Sequence, residues 1–483
     1  MWHGVPMPKK LQEVERKYDV TESTVSPSFE GLAAITRIEV IEPQQLEAVY
    51  HDTAGRDLSR NRIVLRRRTG GDDAGWHLKL PADGDTRIEI QATLSDTVPD
   101  ELRDVVLAIV RDRELAPVAT VRNERHLQRF YGADGALLAE FCDDHVSSSS
   151  DAGEQNWREW EIELGAGDTE LLDALSRRLR DAGAEPAGHA SKLVRALGTP
   201  PPAPELPEEP MHRAVAEQVA ALIEWDRAVR ADQWDSVHQM RVTTRKLRSL
   251  LREAEDSFGL ADDSWVLDEL RQLAAILGVA RDAEVLAEKY QQALDELPPE
   301  LVRGPVAERL VGGSRHRYEV GWRRSVAAMR SERYFRLLDA LDELATADPV
   351  DADGSGDDPG NLDGAYKRLR KSVQNAHAAE RTPDRDEALH RIRKSAKRLR
   401  YSAAAVDRRK VYEAAKTVQS LLGDHQDATV SRTYLSQQAE LAHAAGEDTF
   451  TYGVLYQRET ELATQRRAEL EPALKKLKKA FRH

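Results

Sequence analysis

The sequence predicts an α+β protein, with a mainly antiparallel sheet in its first part and an all-α second part. Three observations carry this reading. The stretch GTPPPAPELPEEP, residues 198–210, is rich in proline, which blocks both helix and central strand and favours an extended connector. Before it the chain runs in short alternating segments separated by Gly, Asp, Pro and Ser turn signals. After it nearly everything follows a helical period. The expected division is residues 1–197, a linker at 198–210, and residues 211–483.

Composition bounds the function classes. A chain of 483 residues is too long for one hydrophobic core, so more than one domain is expected. With 32% charged and 40% hydrophobic residues and a mean hydropathy of -0.60, it reads as a folded, water-soluble chain. No apolar run reaches the roughly 20 residues of a membrane helix, and the start MWHGVPMPKK lacks the apolar core of a signal peptide. A cytoplasmic address without membrane attachment follows as an expectation. The single cysteine, Cys142, excludes an internal disulfide and a cysteine metal cluster. A net charge of -14 argues against nucleic acid as a general partner, although local basic stripes survive inside an acidic total.

The first part holds the segments LQEVERKYDV, AITRIEV, RIVLRRRT, GWHLKLP, TRIEIQATL, ALLAEFCDDHV and WREWEIELG. Two helical patterns, near DELRDVVLAIVRD and DTELLDALSRRLRDAG, interrupt them. Side chains alternate across a strand, so Glu13, Glu15 and Lys17 share one face while Val14, Arg16 and Tyr18 take the other. The pattern recurs. Arg66 and Arg68 share a face, as do Arg87 and Glu89 against Ile88 and Ile90; Glu159, Glu161 and Glu163 alternate with Trp160, Ile162 and Leu164; Glu140 and Asp144 lie together. A sheet with one face in a core needs only a polar outer face, and repeated charges of both signs on strand after strand point to charged faces that meet. Curling the sheet into a barrel brings them together inside. Such an interior suits a polyanion held by Lys and Arg and a divalent cation held by carboxylates.

Glu-x-Glu-x-Lys in EVERK, YHDT at 50–53, LRRR, WHLKLP, TRIEI, EIEL and the late SK of HASKLVRAL, in this order, resemble the CYTH or triphosphate tunnel metalloenzyme family over residues 9 to 197. The resemblance implies an eight-stranded antiparallel β-tunnel that hydrolyses or cyclises triphosphates with Mg²⁺ or Mn²⁺. It implies phosphate-binding roles for Lys17, Arg66, Arg68, Lys79, Arg87, Arg125 and Lys192, with Arg122, of opposite strand parity to Arg125, ranked second. It implies metal-ligating roles for Glu13, Glu15, Asp144, Glu161 and Glu163, and places Glu13, Glu15 and Lys17 in the catalytic set. Asp143 exchanges with Asp144 if the strand carries a bulge. Glu140 and Glu159 stand evenly between ligand and salt-bridge roles, and His51 and His189 read as structural or surface residues. The chain has no GxxxxGK[ST] phosphate loop.

The second part is duplicated. HQMRVTTRKLRSLL from His238 and HRIRKSAKRLRYSA from His390 match at identical spacing, and each is followed by a second matching piece, LGVARDAEV from Leu277 and LGDHQDATV from Leu422. Asp282 and Asp427 fall in register. On a helix His238, Arg241, Arg245 and Arg248 occupy an arc of roughly 80°, and His390, Arg393, Lys397 and Arg400 repeat it. Stacked like charges destabilise an isolated helix, which a bound anion relieves. The stripes lack the interleaved aromatics that stack nucleobases. Two features break the helical pattern: DELPPELVRG and the acidic, glycine-rich DPVDADGSGDDPGNLDG, which reads as a flexible loop. The duplicated, His-led pattern resembles the CHAD domain over residues 211 to 483. That resemblance implies paired helical bundles that bind inorganic polyphosphate, and association with polyphosphate granules.

Together the two resemblances imply a metal-dependent inorganic triphosphatase fused to a polyphosphate-binding module, with inorganic triphosphate and polyphosphate as partners. The alternatives are a non-catalytic polyphosphate-binding or targeting protein, and a nucleoside or thiamine triphosphatase or adenylate cyclase using the same tunnel.

Overall fold

The computed structural model describes residues 9–482 apart from residue 83 and segments 199–205, 255–257, 261–263, 348–361 and 380–384. Most of the proline-rich linker, and nearly all of the acidic glycine-rich stretch expected to be a loop, lie outside the described residues.

The first part contains strands β1 (Lys9–Val20), β2 (Arg37–Val40), β3 (Gln44–Asp52), β4 (Val64–Thr69), β5 (Gly75–Pro81), β6 (Thr86–Ala92), β7 (Ala116–Tyr131), β8 (Leu137–Ser150), β9 (Gly153–Leu164) and β10 (Glu185–Pro186). Eight of them form a closed antiparallel barrel in the order β1-β6-β5-β4-β3-β7-β8-β9, with β2 added to β7 and β10 to β1. Closure depends on one strand changing partner: β1 pairs with β6 through Val14 and with β9 from Glu15 onward.

The apolar core lies outside the barrel wall. Tyr18, Phe130, Phe141, Trp160 and Ile162 project outward beneath the helix Thr169–Asp181, which covers them with Leu171, Leu172, Leu175 and Leu179. Asp168 starts that helix by accepting a hydrogen bond from the Leu171 amide at 2.9 Å. With the apolar faces committed to this outer layer, the alternating charged residues are left to the interior. One end of the barrel is apolar inside: Tyr50, Val64, Val121, Val146 and Trp157 pack against Leu193 and Ala196 of the short helix Lys192–Leu197.

Two of the barrel strands, β3 and β7, fall outside the segments marked by alternation in the sequence. On β7 the inward positions Asn123, Arg125 and Arg129 are polar, so its hydrophobic period is weak. The segment AITRIEV contributes only the four-residue β2, added at the barrel's edge. The helical pattern at 100–112 is two short helices, Asp100–Val105 and Leu107–Val110.

The chain forms two compact units. The first comprises residues 1–258, 262–274 and 326–349, and so joins the barrel to several helices that follow it. Within it the helix Pro210–Arg230 packs against Ser236–Glu253, Glu332–Thr346 and the two short helices at 100–110. Asp226 receives Arg230 at 2.6 Å and the Tyr334 hydroxyl at 2.9 Å, which satisfies its buried carboxylate. Arg111, only 4% exposed, donates to Asp339 and Asp342. The second unit comprises residues 259–261, 275–325 and 350–483. Its helices Leu362–Ala378, Arg385–Ala405, Arg409–Ala444 and Phe450–Arg482 share a core that includes Leu369, Ile392, Leu399, Val418, Leu422 and Leu477. Among the described residues no helix is long and apolar enough to cross a membrane.

Candidate active site

Strand register assembles the charges inside the barrel. Glu15 lies opposite Glu163 and Lys17 opposite Glu161; Glu13 faces Arg87, and Lys79 faces Glu89. Arg125 lies opposite Asp144, which in turn lies opposite Glu159. Because each pairing places side chains of adjacent strands on one face, a single closed sheet converts a period-two sequence pattern into a lining of both signs.

Asp144, Glu159 and Glu161 offer carboxylate oxygens that all lie within 4.8 Å of one another, and all three residues are buried. Arg125 holds Asp144 through two hydrogen bonds of 2.8 and 2.7 Å and reaches Glu161 at 3.0 Å. Lys192, carried in by the short helix, lies 2.8 Å from Asp144, 2.6 Å from Glu159 and 2.8 Å from Glu161. Lys17 pairs with Glu161, and with Glu15 at 3.0 Å. Burial opposes ionisation of Asp144, but Arg125 and Lys192 outweigh it and hold the carboxyl at about 2. Burial likewise opposes a charged Glu161, which Lys17, Lys192 and Arg125 nevertheless keep well below the usual carboxylate range. An all-oxygen donor set of this kind suits a hard divalent cation such as Mg²⁺ or Mn²⁺.

A second group lies on β1, β4, β5 and β6. Lys79 donates to Glu13 at 2.5 Å, and His77 places Nδ1 2.5 Å from Glu89 and Nε2 2.9 Å from the Asp73 carbonyl. Burial, reinforced by the neighbouring Glu89, pushes the Glu13 carboxyl up to about 8. Burial pushes Arg68 down to about 9, with Arg66 and Arg125 adding repulsion. The repulsion falls on Arg68, which pairs with Asp73, whereas against burial Tyr50 and Glu89 raise Arg66 and Asp144 raises Arg125. A polyanion would relieve the charge on Arg68.

Glu13, Glu15, Lys17, Arg66, Arg68, Lys79, Arg125, Asp144, Glu161 and Glu163 share the inward-facing set, and Lys192 joins them. Arg87 shares that face opposite Glu13, lies 3.3 Å from Glu15, and donates to the Ala190 carbonyl at 2.8 Å. Arg122 points outward, pairs with Glu47 at 2.8 Å and is 69% exposed along its side chain. Asp143 also faces outward, where Arg158 binds it through two hydrogen bonds of 2.8 and 2.6 Å. Glu140 is paired with Arg129 at 2.8 Å, the salt-bridge role, whereas Glu159 belongs to the acidic cluster. His51 lies against Trp76 with ring centroids 4.9 Å apart, and His189 is exposed. His77 and Glu89 were absent from the expected site. The signal for both is parity, since His77 alternates in step with Lys79 and Glu89 with Arg87.

In the helical part, His238, Arg241 and Arg248 are half-buried and Arg245 is exposed on the helix Ser236–Glu253. Among the described residues, Arg241, Arg245 and Arg248 make no ion pair with a carboxylate within 4.0 Å. The Nε atoms of Arg241 and Arg248 and Nδ1 of His238 are buried without a hydrogen-bond partner. On the helix Arg385–Ala405, His390, Arg393, Lys397 and Arg400 are all half-buried. A Cβ on Gly423 would stand 3.6 Å from the Arg393 guanidinium, so the second piece of the repeat packs beside the first. Arg400 lies over the Tyr401 ring at 4.8 Å.

Family models match a CYTH domain over residues 11–196 and a CHAD domain over residues 213–436. The uncharacterized proteins Rv2226 and MT2285 from two strains of Mycobacterium tuberculosis are 58% identical over 504 residues, covering 99% of this chain and 98% of theirs. Among solved structures, the CHAD domain from the plant Ricinus communis matches 55% of this chain and 90% of its own at 22% identity, with a TM-score of 0.39. HpAC1 from Hippeastrum, a protein with a dominant triphosphatase activity, matches 41% of this chain and 98% of its own at 17% identity, with a TM-score of 0.27. Two family models matched in order, together with relatives alike over their full length, place the chain in the family of CYTH–CHAD fusion proteins.

Proposed function

We propose that the tunnel hydrolyses inorganic triphosphate or short polyphosphate with a divalent metal, and that the helical part binds inorganic polyphosphate. The observation that carries the catalytic reading is the lining itself. Lys17, Arg66, Arg68, Lys79, Arg125 and Lys192 converge on an interior that also holds the Asp144, Glu159 and Glu161 cluster.

The guanidinium and ammonium groups bind and orient the phosphate oxygens, and fixed donors of this kind stabilise charge spread over a transferring phosphoryl group. Asp144, Glu159 and Glu161 would hold Mg²⁺ or Mn²⁺, with Glu15 and Glu163 the next carboxylates along the wall, and the metal would neutralise phosphate charge there as a Lewis acid. Glu13 and Glu15, beside Lys79 and Lys17, would orient the attacking water. The apolar end formed around Trp157 and Leu193 keeps bulk water from that side and strengthens the electrostatics within. No side-chain nucleophile is required.

For the helical part, the support is the pair of His-led stripes whose first copy carries guanidinium groups without carboxylate partners among the described residues. Basic groups repeating along a helix match a repeating phosphate chain.

The decisive experiment is a phosphate-release screen over inorganic triphosphate, long polyphosphate, ATP and thiamine triphosphate with Mg²⁺ and with Mn²⁺. The expected result is the highest kcat/KM for inorganic triphosphate and no cyclic nucleotide. Cyclic AMP as the main product from ATP, or no phosphate from any substrate with either metal, overturns the reading.

A further inference from the structure

We infer that the barrel has a lateral port which receives the phosphates beyond the third of a linear chain, so that tetraphosphate and longer chains are gripped through the side wall. This rests on the triphosphatase reading and extends it to chain-length selection. The port lies where β1 leaves β6 and turns to β9, at Glu15. A cavity of about 410 Å³ opens there, with Lys17 and Arg87 at its inner end and Arg16, Arg180 and His189 toward solvent.

Four cations, Arg16, Lys17, Arg87 and Arg180, face two carboxylates, Glu15 and Asp85, around this cavity. The cations are not equally committed. Arg16 is held by Asp85 at 2.8 Å and Asp173 at 2.7 Å, and Arg87 by Glu15 and the Ala190 carbonyl. Arg180 is exposed, and among the described residues it makes no ion pair with a carboxylate within 4.0 Å; its Nε donates to the Ser176 carbonyl at 3.3 Å. Its remaining donors are available to an anion leaving the tunnel past Lys17. The Arg87 bond to Ala190 fixes the segment that forms the facing wall. Tyr18, the aromatic ring of the lining, is only 3% exposed and gives a nucleobase no platform, so the chemistry of the port favours a phosphate chain over a nucleoside.

The test compares inorganic triphosphate with linear tetraphosphate in the full-length protein and in Arg180→Glu, with Arg180→Lys as the conservative control. Both kcat/KM with metal and Kd by calorimetry without metal are measured. Reversing one charge is expected to weaken tetraphosphate on both readouts by about tenfold or more while triphosphate stays within about twofold, with Arg180→Lys restoring most of the loss. Equal effects on the two substrates, or none on either, overturn the port. If the wild-type protein hydrolyses neither substrate but Arg180→Glu selectively loses tetraphosphate binding, the port stands and the triphosphatase reading falls.

Discussion

Asp143 and Asp144 are neighbours that the strand sends to opposite faces, and they have different work. Asp144 is fully buried inside with Arg125 and Lys192, whereas Asp143 anchors Arg158, which also donates to the carbonyls of Thr21, Glu22 and Thr24. Asp144→Asn is expected to lower phosphate-release turnover by on the order of 10² or more through lost electrostatic placement. Asp143→Asn is expected to cost about 3 kcal/mol of stability, since it breaks a buried pair, while turnover per folded molecule stays near wild type. Denaturant melts and initial rates on the same preparations separate the two. A second prediction concerns His77, whose imidazole burial pushes down to about 4 with help from Arg66 and Arg68 and against the pull of Glu89. Between pH 6.5 and about 4 the unfolded chain therefore binds more protons at this residue than the folded one. Its contribution to stability is present above pH 6.5 and is lost as pH falls through that window. The drop in urea midpoint between pH 7 and pH 4.5 is expected to be smaller in His77→Asn than in wild type, and an equal or larger drop refutes it. Most of the tunnel lining was legible because charges of both signs at every second position, on strand after strand, need a shared interior in which to meet. His77 was less so, because a single histidine between Trp76 and Leu78 reads equally well as a core residue; its parity with Lys79 is the only sequence signal, and the diagonal contact with Glu89 across β5 and β6 separates the two.

Helices and strands in this chain are fixed by what covers them. The outward faces of β1, β8 and β9 were legible as apolar, since Trp160, Ile162 and Leu164 alternate with the acids. The change of partner by β1 was not legible, because pairing is a property of two strands and its signal is spread over β1, β6 and β9. In the helical part, close approach is set by a glycine. A Cβ on Gly321 would stand 2.9 Å from both Cα and N of Ala280, so the helix Gly313–Ala328 rests directly on the backbone of Trp265–Asp295. Gly313 has nothing within 4 Å of the same position and a right-handed φ of −63°. Gly321→Ala is therefore expected to destabilise the protein by about 1–3 kcal/mol through overpacking. Gly313→Ala is expected to be neutral, or to stabilise by up to about 1 kcal/mol through helix propensity. Thermal melts of the two variants with opposite signs support this packing, and equal shifts contradict it.

At the scale of the molecule, the proline-rich stretch and the boundary between compact units are different places. The first unit contains the barrel together with the helix Ser236–Glu253, which carries His238, Arg241, Arg245 and Arg248, and the helices Pro210–Arg230 and Glu332–Thr346, which bind the barrel part through Arg227 to the Val105 carbonyl and through Asp339 and Asp342 to Arg111. The second carries His390, Arg393, Lys397 and Arg400. Severing the chain at the prolines would strip that first contact, so the role of the stripes is best tested in the intact protein. The prediction is that Arg241→Glu and Arg245→Glu, combined with Arg393→Glu and Lys397→Glu, weaken binding of long polyphosphate while hydrolysis of inorganic triphosphate keeps its kcat/KM. Each phosphate contact made by a cation releases condensed counterions, so wild-type affinity should fall steeply with salt and the variant should show a shallower slope. Anisotropy titrations of labelled polyphosphate over a range of salt concentrations, without metal, give both quantities. Full-strength binding by the variant would return the stripes to solvated helix faces. Equal wild-type affinity for double-stranded DNA and polyphosphate at matched salt would make them a general polyanion surface. A parallel fall in triphosphate hydrolysis would mean that stripes and tunnel act on one ligand.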